Sequence, residues 1–536
     1  MRVSQVSLLH EYLERNVERC PDKTALIVKD RRLTWADIDE AASRTAHALR
    51  SLGVLRGDRV CIYLDNSVET CASIFGILRA DAIFSVINPQ TKVDKLTYML
   101  NDCRAKVLIA DSHLDRVLKD VFPNTSFLQH VLLVMDDADK VPEPAEIGTV
   151  RCLSYEQTLA AAAMDCPETV NIPIDLASII YTSGTTGDPK GVMLTHLNMV
   201  SAAESITSYL ENKHDDIVMS VLPLSFDYGL YQWLMTAQFG GTLVLERSFN
   251  YPAPVLKLID EEQCTGFPIV PTIVSILKQY ADKGLKLPGV RYMTNTAAAL
   301  SPAHIEAMKK ICPNAKIFSM YGLTECKRVS YLPPEQLDKR PDSVGKAMPN
   351  MEAFVVDDDG KRVEANTVGE LVIRAPHVMK GYWEKPEATA ERLKPGEVGE
   401  EMWLYTGDLF RKDEEGYLYF VARRDNIIKS RGEKVSPKEV ENVLYGMPGI
   451  TEAAVIGVED EILGQAIAAF CVLNEGQEYK PGQVIRYCAQ RLEPFMVPKY
   501  VSFLTGLPKT SSGKITKKNI LDWAKRTYVG GHEIPS

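Results

Sequence analysis

The sequence predicts an α/β protein: a large N-terminal domain with parallel-type sheets and a small β-rich subdomain, then a small C-terminal α+β domain. Three observations lead there. At 536 residues the chain is too long for one core, because hydrophobic cores stop growing and split into domains. Its first four-fifths alternates strand-like with helix-like segments, the pattern of parallel sheets with covered faces. The stretch after Arg424 carries its own mixture of helices and strands.

The elements follow in order. Leu8, Leu9, Tyr12, Leu13 and Val17 have helical spacing. Thr34-Trp35-Ala36-Asp37 reads as a capping box that opens a helix ending at Gly53. Asp58 to Leu64 and Ala82 to Ile87 read as strands around a helix from Val68 to Leu78. Further strands are expected at Asp216 to Val221, Thr242 to Glu246, Phe267 to Val270 and Lys316 to Met320. From about Met351, short apolar runs flank the turns Asp357-Asp358-Asp359-Gly360 and Glu414-Glu415-Gly416, which suits a β-rich unit. The last segment should place helices at Pro437 to Tyr445 and Gly482 to Arg491, with strands at Glu452 to Val458 and Ala466 to Val472. The expected domains are 1–424 and 425–536.

Composition narrows the function. Hydrophobic residues make up 45% and charged residues 25%, as in an ordinary globular protein. A net charge of −10 argues against nucleic acid as the partner, since phosphate backbones select basic faces. No segment approaches the roughly 18 apolar residues of a membrane span, and the N-terminus has no signal-peptide core. The 11 cysteines are scattered without a CxxC pair, which suits free thiols in a reducing compartment. The tail Glu533-Ile534-Pro535-Ser536 is no peroxisomal address. The expected location is cytoplasmic, with no membrane partner.

The strongest chemical signal is Tyr181-Thr182-Ser183-Gly184-Thr185-Thr186-Gly187-Asp188-Pro189-Lys190-Gly191, which follows a strand at Ala177 to Ile180. Small hydroxyl residues and glycines let backbone N–H groups approach a phosphate, and the lysine adds charge. It is not a Walker loop, which needs Gly before the lysine and Ser or Thr after it. Here Pro189 and Gly191 flank Lys190. The undecapeptide resembles the phosphate loop of the acyl- and amino-acid-adenylating superfamily of acyl-CoA synthetases, peptide-synthetase adenylation domains and firefly-type luciferases.

Four further motifs carry the resemblance in family order. Tyr321-Gly322-Leu323-Thr324-Glu325 implies Tyr321 near adenine, Thr324 at the α-phosphate and Glu325 at Mg²⁺, for which a carboxylate is a suitable hard ligand. Tyr405-Thr406-Gly407-Asp408 implies that Asp408 accepts hydrogen bonds from the ribose hydroxyls. The run from Arg423 to Gly432 resembles the family's hinge. It implies a ribose contact at Arg423, a pivot at Asp425, and Lys429 and Gly432 on the surface that meets the thiol. The family's usual Gly is Ala422 here. Leu507 to Ile515 resembles the terminal lysine motif and implies that Lys514 reaches the substrate carboxylate. The resemblance spans the whole chain. It implies an ATP- and Mg²⁺-dependent ligase that adenylates a carboxylic acid, then passes the acyl group to a thiol after the C-terminal domain, mobile in the family, has turned.

Specificity rests on Leu222 to Gly229, where Phe226-Asp227 replaces the His-rich segment of most acyl-CoA synthetases and luciferases. It resembles amino-acid-adenylating domains, whose aspartate pairs with the substrate ammonium; a group of acyl ligases from exopolysaccharide systems shares it. A buried carboxylate in an apolar pocket needs such a partner. Otherwise Asp227 would cap the next helix, expected at Leu230 to Ala237. Carried over by motif, the pocket is Asp227, Tyr228, Tyr231, Pro268, Met293, Asn295, Met320, Arg328 and Val329. Its large side chains imply a small acid. The run from Glu325 to Pro334 resembles prolyl-adenylating enzymes, so L-proline loaded onto a separate carrier protein is the first expectation. The tail offers no phosphopantetheine serine; from Lys509 onward it has six Lys+Arg and two Asp+Glu, a charge that suits an acidic carrier. A medium or branched acyl-CoA ligase using coenzyme A is the alternative, and a luciferase-like or inactive relative the third.

Overall fold

The computed structural model describes residues 6–135, 146–182, 188–296, 302–430, 433–460, 463–509, 515–516, 520, 528–529 and 532–533. Among them, two nine-stranded sheets form the large N-terminal domain. In the first, Thr24–Val28, Thr242–Leu245, Ile217–Ser220, Gly266–Ile269, Tyr292–Asn295 and Lys316–Tyr321 run parallel in that spatial order. Antiparallel strands close both edges: Arg31–Thr34 on one side, Ser330–Leu332 and Lys346–Ala347 on the other. In the second sheet, Leu176–Thr182 leads a parallel series through Ile83–Val86, Arg59–Tyr63, Ala105–Asp111, His130–Val134 and Val150–Ser154. The strand Lys190–Thr195 returns antiparallel on Leu176–Thr182 and carries the short strand Gly381–Tyr382 at its far edge.

The β-rich subdomain is a five-stranded antiparallel sheet built from Glu352–Val356, Val368–Arg374, Leu393–Pro395, Met402–Lys412 and Leu418–Arg423. The C-terminal domain has its own five-stranded sheet, from Ile428–Ser430 to Tyr500–Phe503, with helices Pro437–Tyr445 and Pro481–Ala489. It buries a separate apolar cluster including Val435, Val440, Leu444, Val455 and Val484. The expected softer stretch around Val141 to Pro144 lies outside the described residues. No described helix is long and apolar enough to cross a membrane.

Local signals hold where their chemistry is local. Thr34 accepts from the Asp37 N–H while Asp37 accepts from the Thr34 N–H, and the helix Trp35–Ser51 follows. That helix packs against Val68–Arg79. Trp35 stacks on Trp233 at 5.7 Å between ring centroids, with Phe75 edge-on to Trp233, all fully buried. Trp233 belongs to the helix Asp227–Phe239, so this aromatic stack sets the far side of the helix that presents Asp227. Trp233→Ala should cost about 3–5 kcal/mol of stability, the range for emptying a large aromatic site. The measurement is the urea midpoint of the variant against the parent.

Candidate active site

The strand pair Leu176–Thr182 and Lys190–Thr195 places Thr182 opposite Lys190 at the mouth of the predicted phosphate loop. Ser183, Gly184, Thr185, Thr186 and Gly187 lie outside the described residues, as do Gly432 and Lys514. Tyr181 is anchored by donating to Asp102 Oδ2 at 2.6 Å. Lys190 Nζ lies 5.3 Å from the centre of the Tyr382 ring. Tyr382 in turn donates to Glu325 Oε1 at 2.7 Å, and the Met379 N–H donates to the Glu325 carbonyl at 2.7 Å. The segment 379–383 therefore ties the hairpin of one sheet to the Tyr321–Glu325 turn of the other.

That turn is tight. Gly322 lies so close to the next chain segment that a Cβ there would stand 1.9 Å from the Lys327 carbonyl oxygen, so no larger residue fits. The chain reverses at Lys327, whose φ of +69° is unusual for a residue with a side chain. Thr324 sits half-buried on the turn beside Glu325.

Asp408 lies at a bend in the strand Met402–Lys412 and is nearly fully buried. It accepts from the Tyr321 hydroxyl at 2.6 Å and faces Arg423 Nε at 3.4 Å. Burial pushes its carboxyl above the usual carboxylate range, against the pull of Arg423 and the Tyr321 hydrogen bond. Arg392 lies against Gly407 and acts on both Asp408 and Tyr382. Next to Arg423, Arg424 pairs with Glu370 at 2.9 Å and Asp358 at 2.7 Å, fixing the chain just before Asp425. Asp425 lies on a short 3-10 turn, Arg424–Asn426, and Lys429 on the strand Ile428–Ser430 that follows.

The expected pocket is assembled in part. Asp227, Tyr228 and Tyr231 share the helix Asp227–Phe239, all buried. Gly229 sits against the preceding loop, where a Cβ would meet the Pro223 carbonyl oxygen at 2.2 Å. Tyr228 donates to the Thr294 carbonyl at 2.8 Å, and its hydroxyl lies 2.6 Å from Thr294 Oγ1. Register pairs Pro268 with Thr294 and Thr294 with Phe318, and Met320 with Tyr331. Neighbours in register share a sheet face and successive residues alternate, so Pro268, Thr294 and Met320 point to the Tyr228 side. Tyr209 confirms that face, donating to Met320 Sδ at 3.0 Å and stacking on Tyr331 at 4.0 Å. Met293 and Asn295 point to the opposite face, with Phe267 and Ile317. Those two expectations are corrected by one residue: Thr294 takes their place, because a one-residue slip exchanges the faces of a strand.

One further expectation changes. The helix begins at Asp227 rather than Leu230; its cap is Phe226, and no side chain caps it. Asp227 is therefore inside the first turn and does not act as the cap. Arg328 is neither turned to solvent nor salt-bridged among the described residues. It is 4% exposed and lies 4.5 Å from the Tyr228 ring centre, while Val329 beside it is fully buried. Sequence reasoning missed Lys327, which is 1% exposed with Nζ 5.2 Å from the Tyr231 ring centre. Burial pulls its ammonium down to about 8, against the opposing charge of Asp227. It also missed Tyr382 and Arg392, which carry no motif of their own.

Comparison with known proteins places this geometry. A family model for AMP-binding enzymes matches residues 13–383, and one for the AMP-binding enzyme C-terminal domain matches 439–514. The chain is 32% identical to the long-chain-fatty-acid–CoA ligase of Bacillus subtilis, over 96% of this chain and 94% of that protein. Among solved structures it is similar to ATP-bound MatB from Rhodopseudomonas palustris, at 26% identity and a TM-score of 0.87, covering 96% of this chain and 99% of the other. It is equally similar to the anthranilate CoA ligase AuaEII in complex with anthranoyl-AMP, at 28% identity and a TM-score of 0.88, covering 97% of each.

The Tyr321–Asp408 hydrogen bond can be tested by stability alone. Burial disfavours ionised Asp408, so ionisation costs stability as pH rises, and the Tyr321 hydroxyl offsets part of that cost. Tyr321→Phe should lose about 1.5–3 kcal/mol at neutral pH, the range for a hydrogen bond to a charged group. The deficit should shrink as pH falls and Asp408 protonates. Urea unfolding of parent and variant across pH checks both the size and the direction.

Proposed function

The chain belongs to the AMP-binding enzyme family, and from that premise we propose that it is an acyl-CoA ligase for a small carboxylic acid. It is an ATP-dependent, AMP-forming ligase that uses ATP and Mg²⁺. The choice of acid and of coenzyme A as acceptor is the proposal. The observation that carries it is similarity to CoA ligases over nearly the whole chain, while the convergence of Lys190, Glu325 and Asp408 through Tyr382 and Tyr321 supports adenylation.

In this reading the acid's carboxylate attacks the α-phosphorus of ATP and pyrophosphate leaves. Both partners are anionic, so the protein must neutralise charge and hold the line of attack. Lys190 and the backbone N–H groups of Thr182 to Gly187 hold the phosphates. Asp408 and Arg423 hold the ribose, and Tyr321, edge-on to Phe410, serves the adenine side. Glu325 fits as a Mg²⁺ ligand: Tyr382 occupies one carboxylate oxygen, and the other has no hydrogen bond among the described residues. Glu325 and Thr324 would hold the ion, which would supply positive charge at the phosphate oxygens. Lys514 meets the carboxylate. After adenylation the C-terminal domain, 425–536, turns about Asp425 and brings Lys429 and Gly432 to the thiol.

Relatives that are CoA ligases favour coenzyme A over a separate carrier protein. Lys327 and Arg328 disfavour a cationic ammonium beside Asp227, so L-proline yields to an acid without one. Pyrophosphate release over a panel of fatty, aromatic and amino acids, with coenzyme A or a phosphopantetheinylated carrier as acceptor, tests the reading. Acyl-CoA formation is expected; turnover of amino acids with the carrier alone would overturn it.

Lys514→Ala should lower pyrophosphate exchange on the order of 10²–10³-fold, as loss of one preorganised electrostatic donor does, with ATP binding by calorimetry retained. Near-normal exchange would remove Lys514 from this role. Asp425→Pro fixes φ at the pivot and should slow thioester formation more than adenylation. Single-turnover rates of the two half-reactions separate them; equal losses argue against a pivot there.

A further inference from the structure

Three buried groups of the acyl pocket lack a hydrogen-bond partner among the described residues: Lys327 Nζ, Arg328 Nε and the Tyr231 hydroxyl. All three can donate. They are held together: Lys327 lies over Tyr231, Arg328 lies over Tyr228 one position along the chain, and both tyrosines stand on the helix of Asp227. Fully buried lysines and arginines are rare unless paired, and an unmet buried donor costs free energy. The backbone reinforces the placement, because Gly322 and the positive φ at Lys327 turn this side chain inward. Asp227 and Glu325 are the carboxylates whose charge reaches Lys327, and neither makes a hydrogen bond to Lys327, Arg328 or Tyr231 among the described residues.

We propose that this set is a recognition site for a second anionic group on the substrate, so that the acid activated is a short-chain dicarboxylic acid. One carboxylate is adenylated and the other accepts from Lys327, Arg328 and Tyr231. The proposal rests on the acyl-CoA ligase reading and names its substrate class. A carboxylate supplies the missing acceptor for all three donors, and charge-assisted hydrogen bonds are the stronger kind. Tyr228, Tyr231, Met320 and Arg328 are large, buried side chains, which suits a short acid.

The test compares succinate, glutarate and adipate with their monomethyl esters, which keep length and remove one charge. Wild-type pyrophosphate exchange should favour at least one diacid over its ester by about tenfold or more in kcat/KM, mostly through KM. Calorimetry with the same acids in the presence of AMP should show the same preference without turnover. Lys327→Met should abolish the discrimination, and Lys327→Arg should restore part of it. Esters or fatty acids used as well as diacids by the wild type would overturn the dicarboxylate site while leaving the ligase reading intact. Activity confined to amino acids would overturn both. The wild-type comparison decides even where a variant fails to fold.

Discussion

The hydrogen bond from Tyr382 to Glu325 is the joint on which the active site depends. Tyr382 is the outermost strand of one nine-stranded sheet and Glu325 lies on a turn of the other. Neither sheet could fix the distance between the hairpin of Leu176–Thr182 and Lys190–Thr195 and the Glu325 carboxylate by itself. The 379–383 segment does so with bonds of two kinds: Tyr382 to the carboxylate, and two backbone bonds, the Met379 N–H to the Glu325 carbonyl and the Lys380 N–H to the Met193 carbonyl. The backbone bonds set position, and the side-chain bond sets the orientation of the Glu325 carboxylate.

Charge burial is the recurring cost of this design. Asp408, Lys327, Arg328 and Asp227 are each at most 7% exposed. Isolated charges in such places are expensive, and each is met differently. Asp408 has a phenol and a guanidinium. Lys327 and Arg328 lean on tyrosine faces, where the ring quadrupole returns about 0.5–2 kcal/mol. That is less than desolvation takes away, so these two residues are poor choices for stability and good ones for recognition.

The boundary of the two domains is tethered on one side. Arg423 and Arg424 reach back to Asp408, Glu370 and Asp358 in the β-rich sheet, so the chain is pinned up to the residue before Asp425. Across the boundary, Ser436 donates to the Val421 carbonyl and Lys438 lies over Phe420. These ion pairs hold the chain just before Asp425, and the contacts at Ser436 and Lys438 join the following segment to the strand Leu418–Arg423.

What the sequence determined was whatever depends on neighbours along the chain: the capping box at Thr34, the turns, the ordered motifs, and so the family and the adenylation chemistry. Glu325 and Asp408 stand in short contiguous motifs, so sequence alone could single them out as candidates. The tertiary structure decided everything that depends on register and on who packs against whom. Met293 and Asn295 failed because period-two alternation leaves no sign in sequence of which parity faces the pocket; only pairing with Pro268 and Phe318 reveals Thr294. Tyr382 is 57 residues from its partner and carries no motif. Lys327 carries no motif of its own in sequence, beside Arg328, which the pocket carry-over named. It is buried because Gly322 lets two backbones approach and Lys327 takes a left-handed turn, a conformation that no side-chain pattern encodes.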